Sequence, residues 1–217
     1  MNKLNVIVLA NGGQTRFPAS ASPKQLLEVD GEPIVRRTVR EFARRLACQV
    51  KVVTGNPAII DALSRAQLPV VILTPGPTPH ALASLQAVRS DWGARTLCLF
   101  GDVYYTDAAI ETIASCEREL AFFGRRIQSK FTGKGHGEIV AVAWNRAHAA
   151  AMQRSLEYWR DRPLFWSVYR DFAGLWDIED NYLLRETPLF IDIDDWTDDF
   201  DTPEEYARWC KRRIGVT

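Results

Sequence analysis

The residues best suited to chemistry open the chain. A compact apolar run, Val6-Ile7-Val8-Leu9-Ala10, breaks into Asn11-Gly12-Gly13-Gln14-Thr15-Arg16, and Pro23-Lys24 follows. A strand running into a glycine-containing loop leaves backbone N–H groups pointing outward, where they hold phosphate oxygens. Arg16 adds a bidentate phosphate partner and Lys24 a compact positive charge. The pattern fits a polyphosphate cradle at the carboxyl end of a first strand. An ordinary strand-to-loop turn flanked by two surface cations is the alternative. A second candidate is Asp102. It follows the apolar run Thr96-Leu97-Cys98-Leu99-Phe100 and Gly101 directly, and a carboxylate at the end of a buried strand beside a phosphate cradle suits Mg²⁺. A turn or helix-capping role is its alternative, although Thr106 or Asp107 already serves to cap a helix over 108–113. A third feature is the acidic run from Asp194 to Asp201, whose like charges repel unless a cation or an arginine offsets them.

The elements that must position these residues alternate between strand and helix patterns. Apolar residues at Ile34, Val35, Val39, Phe42, Ala43 and Leu46 predict a helix over 34–46, its arginine-rich face in solvent. Strands are expected at 50–54, 70–73, 96–100, 120–123, 138–144 and 189–193. Helices are expected around 59–63, 81–90, 108–113 and 147–160. The proline-rich loop 74–80 lies at the carboxyl ends of the strands, where ligands bind in an open parallel sheet. Residues 125–137 lose all periodicity and read as a mobile loop that could close over a substrate and bring Lys130 or Lys134 to a phosphate. The aromatic-rich stretch 161–190 fits core packing, a homodimer face or an acceptor pocket. At the far end Thr202, Pro203 and Glu205 form a capping box that opens a last helix.

Composition bounds the possibilities. The chain has 217 residues, 27 basic and 27 acidic, with 47% hydrophobic and 25% charged residues. The balance excludes the basic excess of a nucleic-acid binder while leaving a small nucleotide open. Cys48, Cys98, Cys116 and Cys210 lack the spacing of a zinc site and read as buried free thiols of a reducing compartment. No leader pattern or membrane-length apolar run is present, so the expected location is cytoplasmic with no membrane span.

The opening stretch resembles the signature of the nucleotidyltransferase superfamily, L-A-x-G-x-G-x-R followed by P-K, which includes the sugar-1-phosphate nucleotidyltransferases and MobA-like NTP transferases. Leu9, Ala10, Gly12, Arg16, Pro23 and Lys24 stand at matching positions. Gln14 stands where the signature has its second glycine, and Asn11 where it usually has a small residue. Gly101-Asp102-Val103 is similar to the family's metal-binding G-D-V, Gly137-Glu138 to a strand-opening pair, and Asp201-Thr202-Pro203-Glu204 to a D-T-P-E ending whose acid joins the first metal aspartate. Asp199 is the reserve for Asp201. The short form resembles phosphocholine-type cytidylyltransferases.

What the resemblance implies is a single doubly wound, mainly parallel Rossmann-like α/β domain over 1–217, with no room for a C-terminal β-helix domain. The implied activity is Mg²⁺-dependent nucleotidyl transfer from a nucleoside triphosphate, CTP first, to a small phosphorylated alcohol or sugar 1-phosphate, a step of polysaccharide or lipid precursor synthesis. Arg16 and Lys24 are the implied catalytic residues and Asp102 and Asp201 the metal ligands. Leu9, Ala10, Asn11, Gly12, Gly13, Gly76, Ser84 and Asp102 line the nucleotide; for Ser84 an ordinary helix position is the alternative. Two other readings stay open: a glycosyltransferase of related fold, against which Arg16 and Pro23-Lys24 speak, and a non-catalytic nucleotide-binding subunit, which Gln14 keeps alive.

Overall fold

The computed structural model describes residues 4–11, 17, 22–161, 165–175 and 187–214. Apolar runs too short for helices and buried on both faces become the strands of one central sheet. These are β1 (Leu4–Leu9), β4 (Val50–Val53), β5 (Val70–Leu73), β6 (Arg95–Phe100), β8 (Leu120–Arg125), β9 (Glu138–Asn145) and β10 (Phe190–Asp192). Short two-residue strands fall between them: β2 (Glu28–Val29), β3 (Glu32–Pro33), β7 (Val103–Tyr104) and β11 (Asp198–Asp199). The central order is β10-β8-β9-β6-β1-β4-β5. Every pairing is parallel except those of β9, which runs antiparallel to both β6 and β8. The fold is therefore a mixed α/β architecture with a seven-stranded, mainly parallel sheet.

Alternation along the strands splits the core between two faces. Val6, Val8, Val50, Val52, Leu97 and Leu99 face α1 (Ile34–Leu46), α2 (Pro57–Ser64) and α4 (Asp107–Ala114). Ile7, Leu9, Val53, Cys98, Phe122 and Val142 face α3 (Ala81–Ala87), α5 (Ala149–Tyr158) and α6 (Phe165–Ala173). Helix α1 has the predicted bounds and ends at Ala47, in the left-handed conformation (φ 46°). Helix α6 explains part of the aromatic stretch as core: Phe165 packs on Phe100, and Tyr169 on Phe122 and Phe190. Residues 162–164 and 176–186 of that stretch lie outside the described residues.

The chain moves from β1 outward to β4 and β5, then returns across β1 to β6. That reversal places the topological switch point between β1 and β6, where ligands bind in such sheets. The two strands approach closely there. Gly101 N–H donates to the Leu9 carbonyl at 2.8 Å, and a Cβ on Gly101 would lie 3.0 Å from the Ala10 Cβ. A third core cluster covers this edge. Helix α7 (Pro203–Ile214) inserts the buried Trp209 among Phe17, Val29, Ile34, Tyr104, Phe131 and Phe200.

Candidate functional site

Asp102 sits in the turn between β6 and β7. Tyr105 fixes that turn from inside: its buried hydroxyl accepts from Phe100 N–H at 3.0 Å and donates to the Val140 carbonyl at 2.6 Å. Thr106 caps α4, accepting from Ala109 N–H at 3.0 Å, so Asp102 is not needed for capping. Strand β7 pairs antiparallel with β11, with Val103 opposite Asp199 and Tyr104 opposite Asp198. This two-strand ribbon carries the acidic run across the sheet edge to Asp102. Lys24 arrives from a third direction, in a single 3₁₀ turn (Lys24–Leu26) behind Pro23.

The three predicted charges converge. Lys24 Nζ pairs with the Asp102 carboxylate and lies 3.7 Å from Asp201 Oδ1. Lys134, from the segment expected to be a mobile loop, enters from the other side. Its ammonium pairs with Asp199, lies 2.8 Å from Glu138 Oε2 and 3.2 Å from Asp201 Oδ2, and its side chain is 3% exposed. Four carboxylates thus surround two ammonium groups. Glu138, Asp199 and Asp201 each offer one oxygen within 4.8 Å of the others, a hard donor set suited to a cation such as Mg²⁺ or Ca²⁺.

The electrostatics follow from burial and crowding. Burial works against the Lys24 ammonium, but attraction to Asp102, Asp199 and Asp201 outweighs it and holds the pKa above the ordinary lysine value. The same contest, won by Asp199, Glu138 and Asp201, holds Lys134 higher still. Burial, reinforced by repulsion from Asp199, pushes Glu138 well up. Burial opposes ionisation of Asp199 too, yet Lys134 and a hydrogen bond from Glu138 pull it down. The two neighbouring carboxyls are thus driven in opposite directions, Glu138 up and Asp199 down.

The acidic run has a partner for each carboxylate. Asp194 meets Lys130, and Asp192, just before the run, meets Arg126. Asp195 Oδ1 accepts from Thr197 N–H at 2.7 Å. Asp198 Oδ2 accepts from Arg125 at 3.2 Å and from the Thr132 hydroxyl at 3.1 Å. Burial nevertheless pushes Asp198 above the ordinary carboxylate value. These bonds correct the expectation of a loose loop. Ser129, Thr132 and Lys134 are buried, and the Arg208 guanidinium donates to the Thr132 carbonyl at 2.5 Å. Thr202 caps α7 as expected, accepting from Glu205 N–H at 3.2 Å. The return bond differs from a standard capping box: Glu205 Oε2 takes the Asp201 N–H at 2.8 Å, which ties the helix cap to a site carboxylate.

Asn11 and Ser84 belong to one hydrogen-bond chain at the neighbouring loop ends. Gly55 N–H donates to Asn11 Oδ1 at 2.8 Å, Asn11 Nδ2 donates to Thr78 Oγ1 at 2.7 Å, and Thr78 Oγ1 meets Ser84 Oγ at 2.6 Å. Ser84 is fully buried and acts by holding Thr78 rather than by facing the surface. Gly76 is exposed on the same loop. Leu9 and Ala10 are buried at the end of β1. Gly12, Gly13, Gln14 and Arg16 lie outside the described residues. Sequence reasoning brought Lys134 only to a phosphate, as an alternative to Lys130, and gave Glu138 no place among the charges of the centre. The Gly137-Glu138 pair was the available signal, since a Cβ on Gly137 would lie 2.4 Å from the Arg125 carbonyl oxygen and only glycine admits this strand crossing.

The cysteines are free; Cys98 is buried and the other three are partly exposed. No helix among the described residues is long and apolar enough to cross a membrane.

Comparison with known proteins agrees with the fold. Among solved structures the chain is similar to the CTP:phosphocholine cytidylyltransferase LicC of Streptococcus pneumoniae, at 14% identity and TM-score 0.62 over 100% of both chains. A putative glucose-1-phosphate thymidylyltransferase from Bacillus anthracis matches at 13% identity and TM-score 0.63, over 97% of this chain and 95% of that one. Rv0371c from Mycobacterium tuberculosis H37Rv matches at 18% identity and TM-score 0.59, over 97% and 98%. At these identities the likeness is one of fold. No curated protein sequence matches the chain. The model of the MobA-like NTP transferase domain matches residues 6–167, three quarters of the chain, and the chain belongs to that family.

Proposed function

We propose that this protein transfers a nucleotidyl group from a nucleoside triphosphate, CTP first, to a small phosphorylated alcohol or sugar 1-phosphate. An acceptor phosphate oxygen attacks the α-phosphorus, the bond to the bridging oxygen breaks, and pyrophosphate leaves. The observation that carries the reading is the meeting of Lys24, Asp102 and Asp201, from three separated segments, at the switch point of the sheet. CTP ranks first because the short form and the Asp201-Thr202-Pro203-Glu204-Glu205-Tyr206 ending resemble cytidylyltransferases, and a CTP:phosphocholine cytidylyltransferase is among the structural neighbours.

Little acid–base chemistry is required, because a phosphate monoester is already anionic near neutral pH. The protein's task is to align two polyanions and offset their charge. Lys24 faces the α-phosphate and the attacking oxygen. Arg16 and the Gly12-Gly13 backbone hold the outer phosphates. Asn11, braced by Thr78 and Ser84, shapes the wall beside them. Asp102 and Asp201 are the residues that would hold Mg²⁺, and their all-oxygen donors fit it. When bound, the ion would supply charge stabilisation at the phosphate oxygens.

Pyrophosphate release, measured with Mg²⁺ for each of CTP, UTP, GTP, ATP and dTTP against phosphorylated alcohols and sugar 1-phosphates, tests the reading. Release with one pair is expected. Triphosphate binding that raises Tm without release on any acceptor would favour the non-catalytic alternative.

A further inference from the structure

The two lysines of the centre are not equivalent. Lys24 sits on a one-turn 3₁₀ segment, its side chain 15% exposed, and its Nζ contacts two carboxylates. Lys134 is sealed, and its ammonium has three N–H donors against three carboxylates: Glu138, Asp199 and Asp201. Hydrogen bonds run to Glu138 and Asp199, and Asp201 Oδ2 closes the ion-pair shell at 3.2 Å. The backbone behind it is also pinned. Ser129 N–H donates to the Lys134 carbonyl at 3.0 Å, and the adjoining Gly133 adopts φ 83° with a neighbouring guanidinium where a Cβ would be. The three carboxylate oxygens lie within 4.8 Å of one another, a span that suits chelation of a small divalent ion.

We infer that Lys134 is a resident cation: its ammonium permanently fills the Glu138–Asp199–Asp201 position, so that the centre takes up at most one exchangeable divalent ion, at Asp102 and Asp201 in exchange for Lys24. Lys134 is then a positioning residue. By holding Asp201 Oδ2 it leaves Oδ1 on the Lys24 side, 3.7 Å from that ammonium. This rests on the nucleotidyl-transfer reading for the role of the exchangeable ion, but the count of ions can be measured without turnover.

The test is Mn²⁺ binding to the full chain at pH 8 without nucleotide, followed by electron paramagnetic resonance, with Tm recorded against Mn²⁺. The wild type is expected to bind one ion or none per chain. Lys134→Met is expected to bind one more than the wild type and to gain a Mn²⁺-dependent rise in Tm, because three carboxylates are left facing an empty space. Lys134→Arg, which keeps the charge, and Lys134→Met/Asp199→Asn, which removes a charge of each sign, are expected to gain none. A Lys134→Met protein that folds only with Mn²⁺ and unfolds on chelation gives the same answer. Two ions on the wild type, or no additional ion on a folded Lys134→Met protein, overturns the inference. If Lys134→Met is not recovered folded, the wild-type count decides alone: one or none supports the inference and two overturns it. Absence of pyrophosphate release would sink the nucleotidyl-transfer reading while leaving this count intact.

Discussion

Tyr105→Phe isolates one hydroxyl that holds the site edge together. The ring stays, and with it the edge-on contact to Phe42 at 5.6 Å between centroids. What is lost is a fully buried oxygen bonded to Phe100 N–H at 3.0 Å and to the Val140 carbonyl at 2.6 Å. Neither partner has an obvious substitute. The β6–β9 ladder stops at Leu99 opposite Ala141, and Val140 is the residue skipped by the register shift between β8 and β9. A buried donor or acceptor left without a partner costs about 1–3 kcal/mol. Two such groups, less the desolvation recovered from the hydroxyl itself, give a loss of about 2–4 kcal/mol. For a chain of this size that corresponds to a fall in Tm of roughly 5–15 °C. Urea denaturation of wild type and variant, with an unchanged m-value, measures it directly. Because Phe100 lies two residues before Asp102, kcat should fall as well. A loss below about 0.5 kcal/mol, within the range of an ordinary surface substitution, would refute the claim that this hydroxyl closes both groups.

Other perturbations separate the parts of the same edge. Gly124→Ala places a Cβ 1.9 Å from the Glu138 carbonyl oxygen at the bulge between β8 and β9; backbone cannot yield cheaply, so the expected outcome is a loss above about 3 kcal/mol or insoluble protein, read by soluble yield and denaturation. Asp198→Ala strips the buried Arg125 guanidinium of its carboxylate and the Thr132 hydroxyl of its acceptor. A loss of about 3–5 kcal/mol is expected, with faster proteolysis within residues 126–137. Glu41→Gln tests the sign of a linkage at a largely buried carboxylate with exposed partners. Burial tends to raise the Glu41 pKa, but hydrogen bonds from Arg44 and the charge of Arg40 outweigh it and hold the folded value below 4.5. The stabilisation is therefore present above pH 4.5 and disappears as pH falls through the lowered folded value. With both arginines substantially exposed, wild type and variant should differ by under about 1 kcal/mol at pH 7 and converge in acid.

Much of this architecture was legible in the residues. Apolar runs of four to six residues marked β1, β4, β5 and β6, and the 3.6-residue spacing marked α1 to its ends. The strand–loop pattern at Asn11 and the acid after β6 marked the carboxyl ends of those two strands as the place for a site. Orientation was not legible: β9 reads as a continuous apolar run whether it is parallel or antiparallel, because both of its faces are buried. The ribbon of β7 and β11 is two residues long on each side, too short to show a period. The pairing of Lys134 with carboxylates, in place of the phosphate contact expected of it or Lys130, was hidden for a different reason. The lysine's meaning lies in Asp199 and Asp201, more than sixty residues away, and nothing local distinguishes it from the exposed Lys130 four residues earlier. Segment 126–137 looked loose because its order comes from hydrogen bonds to distant carboxylates, not from its own pattern.

The most direct test of the central claim is a double-mutant cycle on kcat, using the triphosphate and acceptor that give pyrophosphate release. Asp102→Asn and Asp201→Asn are expected each to lower kcat by roughly a hundredfold or more. The double variant should fall little below the worse single one, because groups acting as one unit are not additive. Near-normal turnover in either single variant, or losses that simply multiply in the double, would contradict a single lysine–carboxylate centre at the switch point of this sheet.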